Sequence, residues 1–119
     1  MIMGDEMAFI ALRHPRDDVR QLIEHALGRL GHVTLDPADE ERADVVVLEP
    51  ASPDELAAAQ RLRTLRPELP IVCVSIAPPF AEALALGPAA YLVKPFTVAG
   101  LRSTVESVLA ADLRELHAV

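Results

Sequence analysis

Five short apolar runs recur along the chain, and they constrain its fold more than any other feature of the sequence. Several of them are continuous rather than alternating, which is typical of strands buried on both faces of a parallel sheet. The runs cover residues 7–12, 33–35, 45–48, 71–75 and 89–93. Because helical segments separate them, the pattern predicts strands and helices that alternate along the whole chain.

Local signals mark the ends of the two long helices that precede residue 70. Asp17 and Asp18 open the first of them, because acidic side chains favour a helix N-terminus, and Gly31 ends it. Residues 52–55 have the sequence of a capping box, with Pro53 at the first helical position. The second long helix is therefore predicted to begin there.

Two further helices are predicted, one over residues 78–87 and one that begins near Thr97. Between Leu35 and Asp44 there is room for only about one or two helical turns, so the helix after the second strand is shortened. Right-handed crossovers then give a three-layer α/β/α sandwich around a five-stranded parallel sheet. With no linker or repeat, residues 1–119 are predicted to form a single domain.

Composition and charge exclude several functions. The net charge of −7, with no local cluster of Lys and Arg to offset it, argues against direct binding to nucleic acid. Arg61, Arg63 and Arg66 are interpreted as a solvated helix face among acidic residues. No apolar run approaches the roughly 20 residues that span a bilayer, and no signal peptide is recognisable, so a cytoplasmic protein without a membrane partner is expected.

Polar side chains follow four of the five predicted strands. Arg13 and His14 come after the first strand, Glu49 after the third, Ser75 after the fourth, and Lys94 with Pro95 after the fifth. Function in an open parallel sheet gathers at the carboxyl ends of the strands. We therefore expect these side chains to meet in one small polar pocket.

Three segments resemble the receiver domains of bacterial two-component response regulators. Residues 44–49, with Pro53 after them, are similar to the strand that carries the phosphoacceptor aspartate. Residues 69–75 resemble the strand that ends in the switch Thr or Ser, here Ser75. Residues 86–96 resemble the segment with the aromatic switch residue, lysine and proline, here Tyr91, Lys94 and Pro95. The resemblance covers essentially the full length and implies the flavodoxin-like receiver fold.

The chain departs from the receiver pattern where that family does its chemistry. Glu49 stands at the phosphoacceptor position, and its extra methylene moves the attacking oxygen out of line. Arg13 and His14 occupy the position of the acidic pair that binds Mg²⁺ in the family. We therefore expect no useful phosphotransfer, no catalytic residue, no metal and no cofactor, and hence no enzyme.

Two hypotheses concern the state of the pocket. In the first, Glu49 and Lys94 form a standing ion pair, and Arg13 takes the charge role of Mg²⁺; alternatively, both side chains face water. In the second, Glu49 partly imitates a phosphorylated receiver, with Ser75 hydrogen-bonded towards it and Tyr91 turned inward. The alternative is a fixed scaffold that does not switch. A helix-capping role for Asp17 and Asp18 leaves open that an unusual loop returns one of them to the pocket.

An apolar surface is predicted on the fourth helix, the fifth strand and the fifth helix. Between residues 75 and 93 the only charged side chain is Glu82, and the apolar residues exceed what one buried helix stripe can use. Exposed apolar patches commonly mark partners, so other signalling proteins, or a second copy in a homodimer, are expected on this face. Alternatively, the short fourth helix buries most of these side chains against the sheet.

Together these features favour a pseudo-receiver that acts in phosphorelay signalling as a phosphorylation-independent protein interaction module. One alternative is a working phosphoacceptor that takes phosphate from a histidine kinase on Glu49 or on a nearby aspartate. A small flavodoxin-like enzyme or ligand carrier is the third reading. It has little support, because no Gly-rich loop follows the first strand and Ser75 has no evident His or Asp partner.

Overall fold

Strands and helices alternate in the computed structural model, which describes residues 7–95 and 97–117. The strands are β1 (Phe9–Arg13), β2 (Val33–Leu35), β3 (Val45–Leu48), β4 (Ile71–Ser75) and β5 (Ala90–Val93). The α-helices are α1 (Asp17–Arg29), α2 (Pro53–Leu65), α3 (Ala81–Leu84) and α4 (Val98–His117), and a 3₁₀ helix (Pro37–Arg42) joins β2 to β3. Within the described residues, no helix is long and apolar enough to cross a membrane.

The five strands form one parallel sheet in the order β2-β1-β3-β4-β5. Every residue of β3 and β4 is buried, as the continuous apolar runs predict. Side chains alternate between the two faces of each strand. The sheet is therefore covered on both sides.

Two apolar cores lie on opposite faces of the sheet, and their members show which helices form each layer. One core joins α1 and α4 to the strands: Ala8, Ile10, Ile23, Leu27, Val45, Val47, Val72, Val74, Leu101, Val105 and Val108. The other joins α2 to the opposite face: Ala11, Ala43, Val46, Leu48, Ala59, Leu62, Leu69, Ile71, Cys73 and Leu86. The predicted three-layer sandwich is confirmed.

The helices between the strands differ from the prediction in two places. The shortened second helix is confirmed as the 3₁₀ helix, but the fourth helix, predicted over residues 78–87, is only the single turn of α3. Ser52 is the N-cap of α2, yet its side chain makes no capping hydrogen bond, so the predicted capping box is wrong. Glu55 does not reach back to the cap because its carboxylate binds Arg13 instead.

Two arginines of the predicted solvated face hold the amino edge of the sheet together. Arg63 donates from Nε to the Leu86 carbonyl at 2.8 Å and from one terminal nitrogen to the carbonyls of Pro67 and Leu69. Arg66 donates to the carbonyl of Ala43 at 2.6 Å and to that of Glu41 at 3.0 Å. The solvated-face interpretation is thus wrong for these two residues, because unpaired loop carbonyls lie within their reach. Arg61 is exposed, as that interpretation expects.

Candidate functional site

The parallel register brings the polar strand ends to one edge of the sheet. Arg13 and Leu48 are register partners, and the amide of Glu49 donates to the carbonyl of Arg13 at 3.1 Å. At the other side, the amide of Lys94 donates to the carbonyl of Ser75 at 2.7 Å. The polar residues at or just after the ends of β1, β3, β4 and β5 therefore share the carboxyl edge.

Glu49 is a buried carboxylate whose two oxygens face different groups. The residue is only 5% exposed. Its Oε2 accepts a hydrogen bond from the amide of Ala51 at 3.1 Å, and its Oε1 lies 3.6 Å from Nζ of Lys94. A buried carboxylate needs such a partner to offset the loss of hydration. The lysine side chain is 19% exposed, so both partners are largely removed from water.

His14 lies against the same lysine and is 6% exposed. Its Nε2 is 2.6 Å from Nζ of Lys94, and its Nδ1 is 3.1 Å from the backbone nitrogen of Arg16. Burial, and next the charge of Lys94, lower the pKa of His14 despite an opposing effect of Glu49. The site therefore favours a neutral imidazole.

Arg13 does not take the place expected of it beside Glu49. Its guanidinium forms ion pairs with Glu40 of the 3₁₀ helix and with Glu55 of α2, the latter at 2.8 Å. Burial lowers the pKa of Arg13, but these two carboxylates outweigh it and raise that pKa. The strand pleat explains the difference, because Arg13 shares the sheet face of Ala11, which packs in the α2 layer. The prediction that Arg13 balances Glu49 is wrong.

Ser75 and Tyr91 meet at the loop after β4 rather than at Glu49. The wholly buried hydroxyl of Ser75 accepts a hydrogen bond from the amide of Ala77 at 3.1 Å. The hydroxyl of Tyr91 donates to the carbonyl of Ala77 at 2.8 Å, and its half-buried ring packs against the α2 core. An inward Tyr91 agrees with the mimicry hypothesis, whereas the position of the Ser75 hydrogen bond does not.

Other candidates lie outside this cluster. Asp18 is paired with Arg16 at 2.8 Å, and Asp17 lies 3.8 Å from Arg20, both on the exposed first turn of α1. Neither returns to the pocket. Pro95 is exposed after a cis peptide bond from Lys94, and Phe96 lies outside the described residues.

The Mg²⁺ that the receiver resemblance implies does not suit the side chains at this edge. Mg²⁺ prefers oxygen ligands in octahedral geometry. Glu49 offers one carboxylate that already binds the amide of Ala51, and the ammonium of Lys94 and the imidazole of His14 flank it. Across residues 7–95 and 97–111, no three His, Cys, Asp or Glu side chains are grouped to hold a metal ion.

Part of the apolar surface predicted on the fourth helix, fifth strand and fifth helix is exposed. These elements correspond to α3, β5 and α4. Ile76 before α3 is 75% exposed, Leu84 in α3 is 55%, Val93 at the end of β5 is 44%, and Val98 at the start of α4 is 57%. Ala83 and Leu86 are buried, so some of the apolar side chains predicted for this surface are removed from water, but not most of them.

Three contacts at the carboxyl edge were missed from the sequence. The pairing of Arg13 with Glu40 and Glu55 joins residues 27 and 42 positions apart, and Glu55 carried a capping signal instead. The contact of His14 with Lys94 spans 80 positions. The alternation of side chains along β1 is the one signal that separates the directions of Arg13 and His14.

Comparisons with known proteins give structural matches only. No protein-family model and no curated protein sequence matches the chain. Among solved structures, NtrX from Brucella abortus superposes with a TM-score of 0.83 at 23% identity, over 95% of this chain and 30% of that protein. The chain thus spans less than a third of NtrX.

Shorter structures match over nearly their whole length. A CheY-like receiver domain protein from Methanospirillum hungatei has a TM-score of 0.81 at 16% identity, over 92% of this chain and 99% of that one. Chemotaxis protein CheY4 from Vibrio cholerae has a TM-score of 0.75 at 22% identity, over 87% and 99%. At these identities the likeness establishes the fold. This chain therefore has the fold of the receiver domains of response regulators, as the resemblance in its sequence implies.

Proposed function

We propose that this chain is an atypical receiver domain of a two-component system that works as a phosphorylation-independent protein interaction module. The observation that carries the proposal is the pairing of carboxylates with basic side chains at the carboxyl edge. Glu49 faces Lys94, and Arg13 faces Glu40 and Glu55. The carboxylates nearest the phosphoacceptor position already have cationic partners within the protein.

The same contacts argue against phosphotransfer. A phosphoacceptor needs an accessible oxygen in line with the donor, together with a cation that neutralises the phosphoryl oxygens. Glu49 is 5% exposed and has both oxygens engaged. Its longer side chain also displaces the attacking oxygen, and a misplacement near 1 Å can cost about 100-fold in rate.

The exposed apolar residues supply the interaction surface of this proposal. Ile76 directly follows Ser75, whose register partner is Val93, so these two exposed side chains come from neighbouring positions on the carboxyl edge. Leu84 and Val98 extend the surface onto α3 and α4. Other signalling proteins, or a second copy of this chain, are the partners proposed for it.

Labelling with a small phosphodonor separates this proposal from a working phosphoacceptor. The purified protein is incubated with acetyl phosphate and Mg²⁺, and its intact mass is measured beside that of a Glu49→Gln variant. We expect no phosphoryl adduct on either protein. An adduct on the parent that the variant lacks would establish Glu49 as a phosphoacceptor and would refute the proposal.

Sedimentation tests the interaction surface. We expect self-association at high protein concentration that is unchanged by acetyl phosphate and weakened in a Leu84→Glu variant. Leu65→Glu is the matched control, because Leu65 is 66% exposed but lies at the end of α2. A strict monomer at every concentration would remove the homodimer. If no partner were recovered by pull-down either, the interaction proposal would fail.

A further inference from the structure

His14 is held between two nitrogen donors from different segments of the chain. The ammonium of Lys94, at the end of β5, is 2.6 Å from Nε2, and the backbone N–H of Arg16, before α1, approaches Nδ1 at 3.1 Å. Neither donor carries a lone pair that could accept a hydrogen bond. A neutral imidazole has one ring nitrogen that accepts, and an imidazolium has none. A neutral His14 can therefore accept from one of these two donors and a protonated His14 from neither, so the contacts favour the neutral form.

The charges around His14 also oppose a proton on the ring. Lys94 and Arg16 are cationic and raise the cost of a further positive charge, whereas Glu49 from β3 and Glu55 from α2 reduce it. Glu55 is already paired with Arg13. A protonated His14 and Lys94 would thus share the single carboxylate of Glu49 in a largely buried space.

We propose that His14 is a proton-operated latch, which in its neutral form holds residues 14–16 against Lys94 and on protonation releases them. After release, Glu49 remains as the partner of the Lys94 ammonium, and its Oε1 already lies 3.6 Å from Nζ. The input to this edge of the sheet is then a proton instead of a phosphoryl group. The latch goes beyond the proposed function and stands whether or not the apolar face binds a partner.

Burial and the charge of Lys94 place the release below the ordinary histidine range. Both effects lower the pKa of His14 from its usual value of 6.5. Histidine is the side chain whose ordinary titration lies nearest to physiological pH. The latch is therefore closed at neutral pH and opens only when the pH falls below the ordinary histidine value of 6.5.

Nuclear magnetic resonance of the isotope-labelled full chain tests the latch from about pH 8 to about pH 5. We expect the ring of His14 to titrate with a midpoint below 6.5. The amides of His14, Arg16 and Lys94 should shift with the same midpoint. A His14→Gln variant should lose these amide shifts, and a His25→Gln variant should keep them, because His25 is exposed on α1.

A Lys94→Met variant gives a second readout that needs no change at His14. Removal of the lysine charge should raise the His14 midpoint, because that charge lowers the pKa of the ring. An unchanged midpoint in this variant, a parent midpoint at or above 6.5, or loop shifts that persist in His14→Gln would each overturn the latch. These outcomes are independent of phosphodonor labelling and sedimentation, so the two proposals fail separately.

Discussion

The two edges of the sheet use basic side chains in different ways. At the amino edge, Arg63 and Arg66 donate mainly to backbone carbonyls of the loops around them. At the carboxyl edge, Arg13 and Lys94 face side chains that titrate, namely two glutamates for the arginine and Glu49 with His14 for the lysine.

This difference separates a fixed edge from a responsive one. Backbone carbonyls do not titrate between pH 5 and pH 8, so the contacts of Arg63 are insensitive to acid in that range. The contacts of Lys94 change as soon as His14 gains a proton. The contacts of the basic side chains are thus insensitive to pH at the amino edge and pH-dependent at the carboxyl edge.

The largest expected effect is on the fixed edge. An Arg63→Met variant loses three hydrogen bonds of 2.8 Å or less from its guanidinium to carbonyls. We expect the free energy of unfolding to fall by about 3 kcal/mol, since bonds from a charged donor contribute more than neutral ones. Urea denaturation measures this, with Arg61→Met as the control on the same helix. Equal stability of the two variants would mean that the hydrogen bonds of Arg63 to the loop carbonyls do not stabilise the fold.

A smaller loss is expected when the cation at the carboxyl edge is removed. Lys94→Met leaves the buried carboxylate of Glu49 without its partner. We expect the free energy of unfolding to fall by about 2 kcal/mol, less than for a closely bonded buried pair, because the contact is long. Adding Glu49→Gln should recover part of the loss. If Lys94→Met unfolds at the same urea concentration as the parent, the ion pair is not stabilising.

The pH dependence of stability should separate the two edges further. The folded-state pKa of His14 lies below its ordinary value of 6.5, so the unfolded chain takes up this proton first as the pH falls. Its contribution is complete above pH 6.5 and is lost as the pH falls through the lowered folded-state pKa. The free energy of unfolding, measured by urea denaturation at a series of pH values, should decline as the pH falls below 6.5. This decline should be shallower in His14→Gln than in the parent, and it should be as steep in Arg63→Met as in the parent.

The smallest effect is expected from an exposed ion pair at the start of α1. Arg16 and Asp18 are about two-thirds exposed and lie 2.8 Å apart. Exposed pairs of this kind contribute little to stability, because water and salt screen their attraction. Asp18→Asn should therefore leave the urea midpoint nearly unchanged at neutral pH. A loss as large as that of Lys94→Met would show that charge at the surface matters as much as charge at the buried site.

The same contrast shows what the sequence could predict. The parallel sheet and its covering layers could be predicted from the continuous apolar runs of β3 and β4. The shortened second helix could be predicted from the few residues between Leu35 and Asp44. These are local patterns with a fixed period, and burial on both faces explains them.

Side-chain partners that are distant in the sequence were not predictable in the same way. Arg63 was interpreted as solvated because acidic residues surround it, and nothing in the sequence shows which carbonyls its guanidinium reaches. The sequence gives Glu55 a local capping role, and only the fold, which brings Glu55 of α2 and Glu40 of the 3₁₀ helix to the end of β1, pairs it with Arg13. Which charges pair at the carboxyl edge is therefore a property of the tertiary structure.

Titration of Mg²⁺ into the isotope-labelled protein tests whether the carboxylates of the carboxyl edge are held by basic side chains instead of a metal ion. The amides of Arg13, His14 and Glu49 report on the site, and a Glu49→Gln variant is the control. We expect small, non-saturating shifts that are the same in both proteins. Saturable shifts centred on Glu49 that vanish in the variant would contradict this expectation.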